Sequence, residues 1–486
     1  MNIIGSGFSS LSAASYLASA GLAVTVFEKN NQLGGRARQL KKDGYLFDMG
    51  PSWYWMPDVF EKFFTHFDKK VSDYYELEKL STAYNVYFGV EDKIAIPSSP
   101  EEIIDLFEKE EVGSGEQLKK FLAHAKSNYD IAVKDLVYRP GVSPLELVTL
   151  KTIPKLNQLF FDIRKLIARS FKSDRLKKIL EFPVLFLGAK PGNTPAMYSF
   201  MNWADFGLGT WHPKGGMYKI VEGMVSLAQE LGVEFVPNAN VEEILIDDDG
   251  RAIGVKVNGE NKLSDIVLSG ADYHHTETLL PQKMRQYSEA YWDKRVFAPS
   301  SLLFYVGFSE KVKNVEHHNL FFDEEFDAHA EYIYDKPAWP KNPLFYANFP
   351  SATDASFAPE NCEAAMFLIP IAPRLSDTEA VRKKYFDIVI KRTEKITNQK
   401  LADKIEFMES YCVNDFIEDY NSYKGNAYGM ANILTQTAFL RPKIKSKKVK
   451  NLFFTGQLTV PGPGVPPALI SGKIASEAIL KELKLS

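Results

Sequence analysis

The sequence predicts an α/β architecture: a βαβ-type domain assembled from three separate stretches of chain, an inserted mixed α+β domain, and a helical segment on the surface. Three observations carry this reading. Between Asn2 and Glu28 the chain reads as strand, glycine turn, helix, strand and acidic residue. A second strand, a small meander and a return strand fill residues 234–269 and end at Gly270-Ala271-Asp272. The chain closes on a strand at Asn451–Phe454, a glycine- and proline-rich turn at 456–467, and a helix from about Ala468 to Leu483. At 486 residues the chain exceeds one ordinary core, so two or three are expected.

The opening stretch is the most informative. In Ile3-Ile4-Gly5-Ser6-Gly7-Phe8-Ser9-Ser10, Gly5 permits the tight turn after the strand. Gly7 lets the backbone approach a pyrophosphate seated on the N-terminus of the next helix, where free N–H groups and the dipole favour negative charge. The third glycine of the motif is replaced by Ser10, small enough for close helix–strand packing. Glu28, about twenty residues beyond the turn, suits a carboxylate accepting from ribose hydroxyls and repels a 2′-phosphate. Lys29 follows it, and Leu33-Gly34-Gly35-Arg36 supplies a second glycine turn that favours FAD over NAD. Few residues precede Gly5, a short first strand, which leaves open that the chain extends ahead of Met1. With no charged leader and no A-x-A-like cleavage signal, the apolar start reads as the cofactor unit and not as a signal peptide.

Composition narrows the function classes. The chain is 45% hydrophobic and 25% charged, and 58 basic against 62 acidic side chains leave a net charge of −4. That balance argues against a nucleic-acid partner. Cys362 and Cys412 sit singly, so no metal site is expected and buried thiols in a reducing compartment are. No uncharged apolar run reaches the ~18 residues that cross a bilayer.

Further along, Phe47-Asp48-Met49-Gly50-Pro51-Ser52 ends a strand in a turn. Val59, Phe60, Phe63, Phe64 and Phe67 predict an amphipathic helix over 58–70. A hairpin is expected over 84–96, then helices from Pro100 to about residue 182. Residues 145–181 carry Lys151, Lys155, Arg164, Lys165, Arg169, Lys172, Arg175, Lys177 and Lys178 against four acids, a local charge of +5. Leu156, Leu159, Phe160, Ile163, Leu166, Ile167 and Phe171 give the same segment an apolar face. A basic amphipathic helix suits an anionic membrane surface. The connector Trp203–Gly216 contains Asp205 and His212, and its Trp203 and Trp211 read as core aromatics. A helix over 217–231 ends at Gly232, strands cover 241–246 and 252–257, and residues 275–425 alternate strand-like and helical pieces such as 301–308, 364–370 and 377–395.

Four distant segments, Gly5–Ser10, Glu28–Arg38, Asp48–Trp53 and Gly456–Pro467, are strand ends followed by glycine or proline turns, the place where open α/β sheets bind cofactors. Together with Pro213-Lys214-Gly215-Gly216-Met217, Glu222-Gly223-Met224 and the ending Pro461-Gly462-Pro463-Gly464-Val465-Pro466, they resemble the bacterial phytoene-desaturase type of FAD-dependent carotenoid desaturase, within the flavin amine oxidase superfamily. The resemblance is collinear over essentially the whole chain.

It implies a discontinuous Rossmann-like FAD-binding domain (residues 1–70, 213–274 and 426–486) with an inserted mixed α+β substrate domain (71–212 and 275–425) and a helical membrane-facing segment. Carried over by motif, Gly5, Gly7, Ser9 and Ser10 would hold the pyrophosphate, and Glu28 with Lys29 the adenosine ribose. Gly35 and Arg36 would approach the phosphates, Gly50, Pro51 and Ser52 would lie near the isoalloxazine, and Val241 would meet the adenine through its backbone. Gly456, Gln457, Gly464, Val465 and Pro466 would contact ribityl and ring. Many flavin oxidases carry an acid where this chain has Gln457; an amide still accepts a hydrogen bond there.

The implied reaction desaturates a linear or hydroxylated carotenoid, phytoene itself or a 1-hydroxy carotenoid at its 3,4 bond. Hydride passes from an allylic carbon to flavin N5, and the neighbouring carbon loses a proton. Asp205 and His212 are the candidates for a base, because they lie just ahead of the cofactor-domain helix. The implied partners are an apolar polyene, a membrane surface and an electron acceptor such as oxygen or quinone, for a cytoplasmic protein peripherally bound to the membrane. Two other readings stay open: an amine-oxidase-like enzyme on a small substrate, and a non-enzymatic lipid-binding escort protein on the same fold.

Overall fold

The computed structural model describes residues 1–485 apart from 151, 160 and 186. Its centre is a five-stranded parallel sheet in the order Leu452–Phe454, Val267–Ser269, Asn2–Ile4, Thr25–Phe27, Glu234–Val236. Ile3 stands between Leu268 and Val26 in register, so the short first strand is central, not marginal. Parallel strands are covered on both faces, which is why all three residues of that strand are buried. The sheet joins chain from the start, middle and end, as the three-stretch reading expects of an α/β fold.

Helix Phe8–Ser19 packs on this sheet between helices Tyr218–Glu230 and Val465–Leu483. Its run of Ser and Ala permits close approach. At Gly472 an added Cβ would lie 2.3 Å from the Ser9 carbonyl oxygen, and Ser12 Oγ donates to the Leu469 carbonyl at 2.7 Å. The last helix therefore locks the first one. It begins at Val465, three residues ahead of the expected Ala468, because prolines are tolerated in a first turn whose N–H groups have no helical partner.

The meander appears as antiparallel strands Val241–Ile246 and Ala252–Val257, with a third strand, Glu260–Leu263, that the sequence pattern does not announce. Helix Pro57–Thr65 buries Val59, Phe60, Phe63 and Phe64 as the stripe predicts, but it stops short of residue 70. Asp68 has φ +57°, a left-handed conformation that ends helical geometry. Ser99 caps helix Pro100–Glu110 by accepting from the Glu102 amide at 3.1 Å.

A second sheet of seven strands draws on both inserted stretches. Its order is Ile405–Tyr411, Ser300–Phe308, Glu363–Ile371, Phe345–Asn348, His318–Phe321, Thr82–Gly89, Asp92–Pro97. Every residue of Ser300–Phe308 is buried. By the pleat, Leu302, Phe304 and Val306 pack with Tyr385, Val389 and Ile390 of helix Glu379–Thr397, while Ser301 and Leu303 face the other way, into a cavity.

The basic stretch is not one amphipathic helix. It is a 3₁₀ stretch, Ile153–Leu159, and two helices, Ile163–Ser170 and Asp174–Leu185. Asp162 caps the first helix by accepting from the Lys165 amide at 2.9 Å. Several of its cations are paired: Arg164 with Glu181 and Asp327, Arg175 with Asp92 and Glu110, Lys177 with Asp174. Lys151 and Phe160, with the side chains of Leu156 and Leu159, lie outside the described residues. Among the described residues no helix is long and apolar enough to cross a membrane.

Candidate functional site: one cavity from the glycine turns to an aromatic chamber

A cavity of about 670 Å³ begins at the carboxyl ends of the parallel strands and continues under the seven-stranded sheet. Its first half is built of main chain. Gly5 has φ +82°, the left-handed conformation the turn requires. At Gly35 an added Cβ would lie 3.2 Å from the Gly7 Cα, so the two glycine turns touch. At Gly456 it would lie 3.2 Å from Ser9 Oγ, which brings the C-terminal turn against the same helix end. At Gly50 it would fall 2.2 Å from the Arg36 carbonyl oxygen, so no larger residue fits there without moving the turn.

This main-chain cradle fits a dinucleotide. Helix Phe8–Ser19 starts at Gly7 without a side-chain cap, leaving first-turn N–H groups and the dipole directed at the cavity. Glu28 is buried and held by three donors: the Ser6 amide at 2.9 Å, Ser6 Oγ at 2.6 Å and the Asn30 amide at 2.9 Å. That fixes its orientation for a diol. At the other end, helix Val465–Leu483 presents its dipole from Gly464, but Pro466 and Pro467 remove two N–H donors, so the field outweighs hydrogen bonding there.

All the cofactor candidates except Ser10 line this one cavity: Gly5, Gly7, Ser9, Glu28, Lys29, Gly35, Arg36, Gly50, Pro51, Ser52, Val241, Gly456, Gln457, Gly464, Val465 and Pro466. Ser10 is fully buried behind the turn, where its Oγ would lie 2.0 Å from a Cβ at Gly270. Its place is a helix–strand packing contact.

Arg36 lies at the join of the two halves. It donates to Ser422 Oγ at 3.1 Å and to the Asn426 carbonyl at 3.4 Å, and its guanidinium stands 5.0 Å from the Tyr420 ring centre. In the amide orientation that satisfies both ends, Gln457 accepts from the two Arg36 Nη atoms at 3.1 and 3.2 Å and donates to the Tyr428 carbonyl at 3.1 Å. Asp272, at the end of the return strand, lines the cavity too; burial pushes its carboxyl up, against the opposing pull of the Tyr423 amide and Arg36. Sequence reasoning passed over Asp272, although its place after Ser269-Gly270-Ala271 was the available signal.

The second half of the cavity is apolar. Trp53, Trp55, Phe182, Phe322 and Phe326 are among its walls, with Leu303, Leu320 and Leu368 from the seven-stranded sheet. The tryptophans of the connector, Trp203 and Trp211, do not reach it. Polar side chains interrupt the wall, Tyr198, Ser301 and His329 among them. At one such place Tyr346 Oη lies 3.0 Å from Ser52 Oγ and 2.6 Å from His318 Nδ1 behind it, and the His318 ring stacks on Trp53 at 4.0 Å.

Neither base candidate touches the cavity. Asp205 is buried in a π-helical turn, where Tyr84 Oη donates to its Oδ2 at 2.8 Å, and burial pushes its carboxyl up to about 8. His212 Nε2 stands 3.0 Å from Asp354 Oδ2. Burial works to raise the Asp354 carboxyl, but His212, the Gly215 amide and Ser356 hold it below the usual carboxylate range. Asp48, quoted for its turn, caps helix Tyr218–Glu230 by accepting from the Met217 amide at 2.7 Å; burial pushes it up to about 6.

A flavin containing amine oxidoreductase family model matches residues 8–480. The chain is 40% identical over 99% of its length to a carotenoid 3,4-desaturase of Haloarcula japonica, covering 98% of that protein. It is 32% identical to a 4,4′-diapophytoene desaturase (4,4′-diaponeurosporene-forming) of Staphylococcus haemolyticus, covering 99% of each. Among solved structures it resembles an oxidoreductase from Methanosarcina mazei at a TM-score of 0.64 and 17% identity, covering 98% of this chain and 99% of that one.

Proposed function

The chain belongs to the flavin containing amine oxidoreductase family, and from that premise we propose that it is an FAD-dependent desaturase of linear carotenoids, acting at the 3,4 bond. The observation that carries this reading is the continuity of one cavity, from a main-chain cradle for a dinucleotide into a chamber walled by Trp53, Phe182 and Phe322. A small polar amine would leave that chamber with little to bind. An escort protein would not need Glu28 held by three donors for a ribose.

FAD, when bound, supplies a two-electron acceptor that takes hydride at N5 from an allylic carbon. The chain's own part is to bind, orient and keep dry. The Gly5–Gly7 turn, the uncapped helix end and Arg36 would hold the pyrophosphate, and Glu28 the ribose. Gly50-Pro51-Ser52 and Gly456–Pro466 would enclose the ring end. The aromatic wall aligns the polyene and excludes water, so positive charge developing along the conjugated chain is not quenched. The carbon beside that charge is strongly acidic and needs only a weak acceptor; Ser52 and Tyr346, which line the wall with His318 bonded behind Tyr346, would receive its proton. Asp205 and His212 act as structural groups in this reading.

Access is from a bilayer. Gly141, Ser143, Glu146 and Leu147 line the cavity, and beside them Leu145 is 76% and Leu150 92% exposed, with Val142, Val148 and Ile153 also exposed. This apolar rim, and not the paired cations of 164–177, is the docking surface we assign to a peripheral protein on the cytoplasmic face. Oxygen or a membrane quinone would reoxidise the cofactor.

The test is direct. The purified protein should carry FAD and, with vesicles containing a linear carotenoid, should shift that carotenoid's absorption to longer wavelength. A protein that binds FAD but leaves every linear carotenoid unchanged would overturn the substrate assignment.

A further inference from the structure

Arg441 lies in the coil ahead of the last sheet strand and is 2% exposed. Its guanidinium meets only neutral acceptors. Nη1 donates to the Gln457 carbonyl at 3.2 Å, and Nη2 donates to the Met430 carbonyl at 3.0 Å and to Asn432 Oδ1. Its Nε has no hydrogen-bond partner among the described residues. Burial lowers its pKa to about 10, which still leaves it protonated at neutral pH. A cation taken out of water without a counter-charge is unfavourable, so the position calls for a compensating anion.

The surroundings indicate where that anion would be. A Cβ at Gly462 would lie 3.0 Å from Arg441 Nη2, so the loop from Gln457 to Gly464 folds around the guanidinium. The other side of the same loop lines the cavity through Gln457, Leu458, Val460 and Pro461. Two guanidinium groups thus converge on Gln457: Arg36 on its side chain from within the cavity, and Arg441 on its main chain from behind. Among the described residues no carboxylate is hydrogen-bonded to either one.

Their roles differ. Arg36 faces the half of the cavity suited to phosphates, whose charge is the same in both redox states. Arg441 stands behind the turn assigned to the ring, whose charge changes. Hydride from substrate brings two electrons and one proton to the ring, which then carries one more negative charge than before, and the substrate's second hydrogen leaves as a proton. Resting on the FAD reading above, we propose that Arg441 is a positioning residue whose unpaired charge, one layer behind the flavin turn, favours the reduced cofactor and raises its reduction potential.

The experiment measures the midpoint potential of the holoprotein by equilibration with a reference dye, without carotenoid. Arg441→Gln removes the charge. Asn432→Asp keeps an acceptor of the same shape for Nη2 but supplies the missing counter-charge, so it leaves a purely structural role of Arg441 intact. In both variants the ratio of reduced to oxidised FAD affinity should fall about tenfold, which is about 30 mV more negative for a two-electron couple. Arg441→Lys should stay within threefold of wild type. Should Arg441→Gln not fold, Asn432→Asp decides alone. A holoprotein whose potential is unchanged by Asn432→Asp overturns the inference and leaves the FAD reading standing. A wild-type protein that takes up no FAD overturns both.

Discussion

Arg36 and Gln457, from opposite ends of the chain, both line the cavity and are joined by paired hydrogen bonds of 3.1 and 3.2 Å. The first belongs to the glycine turn suited to phosphates, the second to the turn suited to a flavin ring. Their bond ties the N-terminal glycine turn to the C-terminal one. Where an acid would neutralise Arg36, the amide accepts without cancelling its charge, which stays available to an anionic ligand.

That relationship gives the first prediction. Gln457→Leu and Arg36→Met should each weaken FAD binding at least tenfold, read by quenching of flavin fluorescence. The double variant should lose less than the sum, with a coupling of about 1.5 kcal/mol, the range for a hydrogen bond to a charged group. Strict additivity would show that the two side chains act independently.

Helix packing gives the second. Gly472→Val places side-chain atoms where even a Cβ lies 2.3 Å from the Ser9 carbonyl oxygen, and must push the last helix off the first. A loss of about 3 kcal/mol is expected, at the upper end for overpacking. It should appear as a lower thermal midpoint and as weaker FAD binding together, because the displaced helices carry both turns. A stable variant that binds FAD normally would refute the contact.

The third concerns pH. The folded Asp205 carboxyl titrates near 8, far above its unfolded value of about 3.9. Between those values the folded chain holds a proton that the unfolded chain has lost, so stability falls as pH rises through the window. Asp205→Asn mimics the protonated acid and should remove the decline. Its stability relative to wild type, measured by urea titration, should improve by about 4 kcal/mol from pH 5 to pH 8.5, at about 1.36 kcal/mol per pH unit up to the folded pKa. Activity should stay within about threefold; a thousandfold loss would restore Asp205 as the base.

The fourth tests docking. Leu145→Glu with Leu150→Glu should reduce partition onto anionic vesicles more than tenfold, since each exposed leucine can bury about 2 kcal/mol of apolar surface. Arg175→Glu breaks ion pairs with Asp92 and Glu110 and should act mainly on stability. Binding lost with Arg175→Glu and retained without the two leucines would return the docking role to the basic run.

What the sequence determined by itself was local. A glycine that must take φ +82°, a carboxylate placed beyond it, and prolines at a helix start are written in neighbouring residues, so the turns themselves were legible in the sequence. Helix stripes such as Val59, Phe60, Phe63 and Phe64 were legible for the same reason, and the left-handed break at Asp68 was not. Only the tertiary structure decided which residues meet across long separations. It put Tyr346 beside Ser52, buried Arg441 behind Gln457, paired Arg164, Arg175 and Lys177 with acids, and left Asp205 and His212 outside the cavity lining. A residue's type says what it can bond; its partners depend on how strands from 82–97 and 300–411 share one sheet, and no local pattern encodes that pairing.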